Sequence, residues 1–267
     1  MVPLSPDNAR RLRSRFGEVC GPGLLALPHA LDFPRAGLWG DDAERPRSVV
    51  LLREGDGRRE AFGAGDPSSA IGWLARQPGS FTMLAPGSWE GPLRAAVGPL
   101  GRSEVLTYTY PGPAHRDAAG RRPSVPTRRL TLDDAAAFAA TAPAWALRGW
   151  RSFEALIAHG AGFGVSHGRG FAALAWVFDQ AGDFDAIGVS TMPRFRRLGL
   201  GRATASALIG HILQWRGKVP LWSTTPANAA SRALANSLGL SLAATESLLH
   251  WGPAEPATSG IVDPTNA

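Results

Sequence analysis

Cysteine, lysine and tyrosine are scarce in this sequence of 267 residues, and the scarcity of cysteine excludes two kinds of site. Cys20 is the only cysteine, so neither an intramolecular disulfide nor a cysteine metal cluster can form. Lysine occurs only at Lys218, and tyrosine only at Tyr108 and Tyr110. The six histidines show neither an H-x-x-x-H nor an H-E-x-x-H spacing. We therefore expect a protein without a resident metal.

Long apolar runs are also missing. No run approaches the roughly 20 residues that cross a bilayer, and the opening residues MVPLSPDNARRLRSRF lack the apolar core of a signal peptide. The hydrophobic content of 44% is nevertheless high enough for a packed core. We expect a cytoplasmic globular protein with no membrane partner.

The net charge of +6 raises the hypothesis of a nucleic-acid partner. Basic and acidic residues are mixed along most of the chain, however, and nearly all the basic residues are arginines, which indicates a genome-wide composition. The clearest basic cluster comprises Arg194, Arg196, Arg197 and Arg202. Such a short cluster suits one phosphate group better than a nucleic-acid track, so we expect no nucleic acid.

The first part of the chain, residues 1–115, alternates strands with short helices. Helices are predicted at 5–15, 66–74 and 89–97, and strands at 48–53, 59–63, 81–84 and 105–110, with a hairpin turn at 55–57. This alternation is typical of a small α/β domain, and it contains no chemical motif. A Pro- and Gly-rich stretch at 116–126 is predicted to be a linker, with a long surface loop as the alternative.

Residues 127–252 form the second predicted domain, with a flexible tail at 253–267. Its element order is β-α-α-β-β-β-α-β-α-β, with strands at 184–191 and 219–223 and helices at 202–215 and 229–238 among the later elements. We expect an α/β (α+β) fold, with a smaller α/β domain before it.

The first chemical motif is R-x-x-G-x-G, formed by Arg196, Arg197, Leu198, Gly199, Leu200 and Gly201. It lies between a strand and a long helix. Glycines let the backbone approach a ligand closely, and free amides at a helix start attract an anion. Arg202 adds further positive charge. The motif alone is weak in so Gly- and Arg-rich a chain, but its context favours a diphosphate site over an ordinary β-to-α turn.

The second motif begins at Asn228 and Ser231 and ends at Leu238-Gly239-Leu240. Asn228 suits a helix N-cap and Gly239 a helix C-terminus, so a purely structural interpretation is complete in itself. Its position directly after the strand at 219–223 makes the segment informative.

Together, these two motifs resemble the superfamily of acetyl-CoA-dependent N-acetyltransferases, GNAT, over residues 127–251. The resemblance is nearest to two-domain bacterial members. It implies a mixed, mostly antiparallel sheet flanked by helices, and a cleft between the fourth strand and the next that holds pantetheine. A degenerate copy of the same fold is one alternative for residues 1–115.

The resemblance also implies how acetyl-CoA is held. Backbone groups of Val189, Ser190 and Thr191 would bind the pantetheine, and the amides of residues 197–202, with Arg196 beside them, the diphosphate. Asn228 and Ser231 would lie near the acyl end. The acceptor implied is a primary amine on a small molecule or a peptide.

Asp185 is the candidate general base. Residues 185, 187, 189 and 191 share one strand face, and several relatives carry a base at this position. The alternative is an ordinary turn or strand-edge aspartate, because Asp179 and Asp183 are close in the sequence.

One position departs from the family. Many members place a tyrosine seven residues after the asparagine as general acid, and here that residue is Ala235. Another group or water would then protonate the thiolate, with Glu246 and Ser247 as weak substitutes, or the step is not acid-assisted. The second hypothesis is therefore a catalytically silent acyl-CoA-binding regulatory module.

Overall fold

The computed structural model describes residues 1–16, 25–33, 37–54, 59–84, 86–110 and 125–253. The predicted hairpin turn at 55–57, most of the predicted linker, Cys20 and the tail from residue 254 lie outside these residues. Within them, no helix has both the length and the apolar character that a membrane span requires.

The elements follow one another in a mixed α/β order. The strands are β1 Val2–Pro3, β2 Leu38–Gly40, β3 Ser48–Glu54, β4 Arg59–Gly65, β5 Phe81–Leu84, β6 Gly101–Thr109, β7 Arg128–Arg129, β8 Gly162–His167, β9 Gly170–Ala181, β10 Phe184–Thr191, β11 Val219–Thr224 and β12 Ser241–Trp251. The helices are α1 Pro6–Arg11, α2 Arg13–Phe16, α3 Ala26–Asp32, α4 Pro67–Ala75, α5 Glu90–Val97, α6 Ala135–Thr141, α7 Phe153–His159, α8 Leu200–His211 and α9 Ala229–Ser237.

The chain forms two compact units, and each takes part of a strand from the other half of the sequence. One unit comprises residues 1–105 and 246–262, and the other comprises 106–245 and 263–267. These ranges differ from the predicted domains 1–115 and 127–252. The end of β6 lies in the C-terminal unit, and the end of β12 lies in the N-terminal unit.

The N-terminal unit is built on a sheet with the strand order β1-β2-β3-β4-β5-β12-β6. Helices α1–α3 cover Val49 and Leu51 on one face, and Trp89 and Leu93 pack with Val50 against the other. Serine and aspartate caps begin two of its helices as predicted: the Ser5 hydroxyl accepts from the Asn8 amide, and the Asp66 carboxylate from the Ser68 amide.

The C-terminal unit continues the strand order β7-β8-β9-β10-β11-β6-β12. The pairings are antiparallel except for β10 with β11, which confirms the predicted mostly antiparallel sheet. Helix α8 packs on β8, β9 and β10. Its long run of small and apolar residues buries Ala205, Leu208 and Ile209.

Both units repeat one order of elements, β-α-α-β-β-β-α-β-α-β, if α1 and α2 are counted as one interrupted helix. The parallel pair of each unit joins its fourth and fifth strands, β4 with β5 and β10 with β11. The N-terminal unit is therefore a second copy of the topology predicted for residues 127–252.

Candidate functional site

A wedge opens between strands β10 and β11. Their parallel pairing covers only the first three residues of each strand and ends at Ala186 opposite Leu221. Beyond that point, residues 187–191 pair with β9, and residues 222–224 pair with β6. Among the described strands, the edge of residues 187–191 that faces β11 has no ladder partner. Its backbone groups can therefore bind an extended ligand.

The loop after β10 has an unusual backbone. Arg197 has a φ of 63° and is the one non-glycine residue with a positive φ in the described part of the chain. Gly199 also has a positive φ, 76°, and begins helix α8. A left-handed conformation costs a non-glycine residue roughly 1–2 kcal/mol. Such turns direct successive amides toward one point, which is the geometry of an anion-binding nest.

The start of α8 presents amides to the same region. No side chain caps this end of the helix, and the first helical bond joins the Ala203 amide to the Gly199 carbonyl. The amides of Leu200, Gly201 and Arg202 precede that bond, so the helix itself provides them no acceptor. A Cβ at Gly201 would lie 2.8 Å from the Thr191 hydroxyl. Only glycine allows the helix to start this close to β10.

Arginines surround this helix start. The Arg196 Nε donates to the Thr191 carbonyl at 3.4 Å, and an Arg202 amino group donates to the Ser237 carbonyl at 3.3 Å. Arg197 and Leu198 are exposed beside them. The predicted diphosphate loop therefore presents free backbone amides that are surrounded by arginines. The exposed side chain of Leu198 lies at its edge.

Asn228 and Ser231 lie at the start of α9, next to the wedge. The Asn228 side-chain oxygen accepts from the Ser231 amide at 2.9 Å, which caps the helix. The Ser231 hydroxyl accepts from the Trp222 Nε1 at 2.9 Å. Asn228 therefore has the capping role that its sequence position predicted, and the cofactor contacts of Asn228 and Ser231 remain a prediction.

Asp185 is fully buried among cations. Its carboxylate accepts from the Arg216 Nε, and its other oxygen lies 3.4 Å from the Lys218 Nζ. Arg216 also donates to the Gln180 side-chain oxygen at 2.6 Å and to the carbonyl of His159 at 3.0 Å. Asp185 shares a face with residues 187, 189 and 191 as predicted, but its oxygens are occupied and inaccessible. This geometry does not favour the predicted role as general base.

Comparison with known proteins assigns this architecture. A family model described as GNAT acetyltransferase matches residues 132–245. Residues 132–245 therefore form a domain of the GNAT type. Members of that family are acetyltransferases by its description, and the matched segment includes the wedge, the arginine loop and Asn228. No curated protein matches the chain.

Solved GNAT structures share the fold over nearly the whole chain. A GCN5-related N-acetyltransferase-like protein from Streptococcus suis is 18% identical, with a TM-score of 0.66 over 92% of this chain and 98% of that one. A GNAT-family acetyltransferase from Colwellia psychrerythraea is 16% identical, with a TM-score of 0.62 over 93% and 97%. A tandem GNAT protein from the clavulanic acid biosynthesis pathway is 14% identical, with a TM-score of 0.61 over 95% and 99%.

The two tyrosines lie in a different unit from the one that the sequence predicted. Both were predicted to belong to the N-terminal domain, but Tyr108 and Tyr110 lie in the C-terminal unit. The Tyr110 hydroxyl donates to the Leu238 carbonyl at the end of α9, at 2.7 Å, and burial raises the pKa of that phenol. Ala235 is fully buried on the same helix. The sequence did not predict that Tyr108 and Tyr110 belong to this unit, because strands that are neighbours in this sheet are distant in the chain.

The weak substitutes for the missing tyrosine lie elsewhere. Glu246 and Ser247 belong to the N-terminal unit. Four of the nine tryptophans, Trp89, Trp145, Trp150 and Trp176, are buried core residues. Three of them donate the indole N–H to a backbone carbonyl: Trp89 to Gly65, Trp150 to Val177 and Trp176 to Ala146.

Proposed function

We propose that the C-terminal unit binds acetyl-CoA and transfers its acetyl group directly to a primary amine of a small molecule or peptide. The wedge beside residues 187–191, which opens at the anion-binding loop 196–202, carries this proposal. A linear cofactor with a diphosphate at one end and a long amide-bearing arm fits such a pair of sites, and few other ligands do.

The residues present suit each part of the cofactor. The unpaired edge of Val189, Ser190 and Thr191 offers amides and carbonyls to the two amides of pantetheine. The α8 amides, with Arg196, Arg197 and Arg202, offer donors and positive charge to the diphosphate. When bound, acetyl-CoA supplies an activated acyl carbon, and the chain needs no covalent intermediate of its own.

The acceptor amine is mostly protonated at neutral pH, so it has to lose a proton before attack. The enclosed carboxylate of Asp185 cannot reach it without breaking the contacts to Arg216 and Lys218. We therefore assign proton removal to water along the wedge, and we assign Asp185 a positioning role through Arg216.

Calorimetric titration with acetyl-CoA, followed by thiol release with a panel of amines, tests the proposal. The wild type should bind one acetyl-CoA, and the loop variant Arg197→Glu/Gly201→Val should lose binding at least tenfold through charge reversal and a steric clash with Thr191. The matched control is Arg148→Glu, far from the loop in sequence. Unchanged affinity in the loop variant would exclude this site.

Turnover is read separately from binding. Thiol release that depends on one class of amine would support the acetyltransferase. Tight binding with no thiol release across primary amines, peptides and amino sugars would instead favour the silent acyl-CoA-binding module.

A further inference from the structure

Tyr108 lies on the sheet face that is covered by α9, the helix that lacks the family tyrosine. In the antiparallel pairing of β6 with β11, Tyr108 is directly opposite Trp222, so the two side chains share a sheet face. The Trp222 indole reaches Ser231 on helix α9. Tyr108 therefore faces α9 as well.

A second contact ties the strand of Tyr108 to the same helix. Tyr110, two residues after Tyr108, reaches the Leu238 carbonyl at the end of α9. Ser231 and Ala235 are four residues apart and both fully buried, so they form the inner face of this helix. Tyr108 is beside Trp222 across the strand pair and two residues before Tyr110, so it belongs to the row of aromatic residues that faces α9.

The Tyr108 hydroxyl is available for chemistry. The residue is 6% exposed. Among the described residues no group hydrogen-bonds the hydroxyl, so no contact in this part of the chain holds its proton. The hydroxyl of Tyr110, the other tyrosine, is instead occupied by a backbone carbonyl.

We infer that Tyr108 is the general acid of the transfer, an assignment that rests on the proposed function. The amine nitrogen bonds to the acyl carbon and gives a proton to water. The carbon–sulfur bond then breaks, its electron pair goes to sulfur, and Tyr108 donates its hydroxyl proton there. The products are the amide and the free thiol, and solvent reprotonates the phenolate.

Titration of the bound thiol of CoA tests this without an acceptor. The thiolate absorbs in the ultraviolet, so its titration midpoint can be followed in the complex. A hydrogen bond to a charged sulfur should place that midpoint below that of free CoA, and Tyr108→Phe should raise it by about one to two units. Tyr110→Phe is the matched control and should leave it unchanged.

A double variant, Tyr108→Ala/Ala235→Tyr, distinguishes an effect of the hydroxyl from an effect of packing. It moves the tyrosine from β6 to α9, and the titration midpoint of the thiol should move back toward the wild-type value. Equal midpoints in wild type and Tyr108→Phe would overturn the role of Tyr108. Failure of the wild type to bind CoA would instead overturn the proposed function.

A separate observation concerns the N-terminal unit, where Trp89 occupies the place that the cofactor would take. Trp89 and Asn228 each precede the helix that follows the fifth strand of their unit. The pairing of β4 with β5 ends at Phe62 opposite Leu84. Past that point, the Trp89 Nε1 donates to the Gly65 carbonyl at 3.0 Å.

The indole fills this site completely. Trp89 is 0% exposed, and a Cβ at Gly63 would lie 2.6 Å from its ring. The helix start is closed as well, because the Asp66 carboxylate accepts from the Ser68 amide at 3.0 Å and from the Ser68 hydroxyl at 2.7 Å. These bonds lower the pKa of Asp66, so a negative charge already occupies the helix start.

The geometry points to a second GNAT copy that is closed by its own residues, so that each chain binds one CoA. This inference also rests on the proposed function. Calorimetry of the full chain with CoA should give a stoichiometry near one, and Arg197→Glu/Gly201→Val should weaken that single binding event at least tenfold.

Two CoA molecules per wild-type chain, or a second CoA that binds the variant with undiminished affinity, would overturn the closure of the N-terminal unit. Arg148→Glu is again the control and should leave the stoichiometry at one. A wild type that binds no CoA would contradict the proposed function while agreeing with a closed N-terminal unit.

Discussion

The indole Nε1 of Trp222 donates a hydrogen bond of 2.9 Å to the hydroxyl of Ser231. The two residues are 2% and 0% exposed, and the bond joins β11 to α9 at the wedge. Since the Ser231 oxygen accepts from an indole, it serves the protein scaffold whatever it does for the cofactor.

Ser231→Ala should therefore lower the stability of the fold more than it lowers the affinity for acetyl-CoA. The buried indole N–H would lose its acceptor, which costs about 1–3 kcal/mol in the free energy of unfolding by urea. Trp222→Phe/Ser231→Ala should be less destabilised than the two single variants predict. A tenfold loss of acetyl-CoA affinity at unchanged stability would show that Ser231 contacts the cofactor.

Asp185→Ala should be among the most destabilising single changes in the C-terminal unit. It leaves Arg216 and Lys218 without their shared carboxylate, and breaking a buried ion pair costs about 3–5 kcal/mol. The exposed Asp183→Asn is the control and should be neutral. If Asp185→Ala kept its stability but lost the acidic limb of kcat/KM, Asp185 would be the base.

Arg197→Gly should separate backbone strain from charge. Glycine accepts the φ of 63° without penalty, so the unfolding free energy should rise by about 1 kcal/mol. The affinity for acetyl-CoA should fall by about two- to fivefold, because one exposed cation is lost. Reduced stability in this variant would contradict the left-handed conformation of the loop.

His211 should make the folded state less stable in acid. Burial lowers its pKa below the ordinary value of 6.5, and the nearby charges of Arg129 and Arg216 lower it further, against an opposing effect of Asp185. The unfolded chain then binds more protons, so this contribution is present above pH 6.5 and is lost as the pH falls through the folded-state pKa.

Urea midpoints measured on both sides of pH 6.5 check this sign. His211→Gln should flatten the fall in stability toward acid, whereas His167→Gln, at an exposed turn, should keep it. An identical pH slope in the wild type and in His211→Gln would refute the assignment.

Local sequence signals were sufficient for most elements. Ser5, Asp66, Ser152 and Asn228 begin helices as cap chemistry predicts, and the strand at 184–191 has its predicted bounds. No helix or strand was predicted between residues 15 and 48, yet this segment contains α3 and β2. Their formation depends on tertiary burial, as the six buried residues of α3 show.

The candidate site could be predicted only in part, because some of its features are local in the sequence and others are not. Glycine spacing and arginines indicated the loop at 196–201, because backbone conformation and charge are local properties. The Arg216 partner of Asp185 is 31 residues away, and Tyr108 reaches its helix through a strand from the other half of the chain. Contacts of this range depend on strand register, which a single sequence does not reveal.

The distribution of β6 and β12 between the units has a consequence for synthesis on the ribosome. The N-terminal unit pairs Phe81, Thr82 and Met83 with Trp251, His250 and Leu249, residues that are synthesised much later. Domains generally fold as they emerge, N-terminal part first, but here the edge of β5 stays unpaired until the end of β12 has been synthesised. The N-terminal unit therefore folds with a strand from the second half of the chain, and a chain stopped before residue 249 leaves the sheet of that unit incomplete.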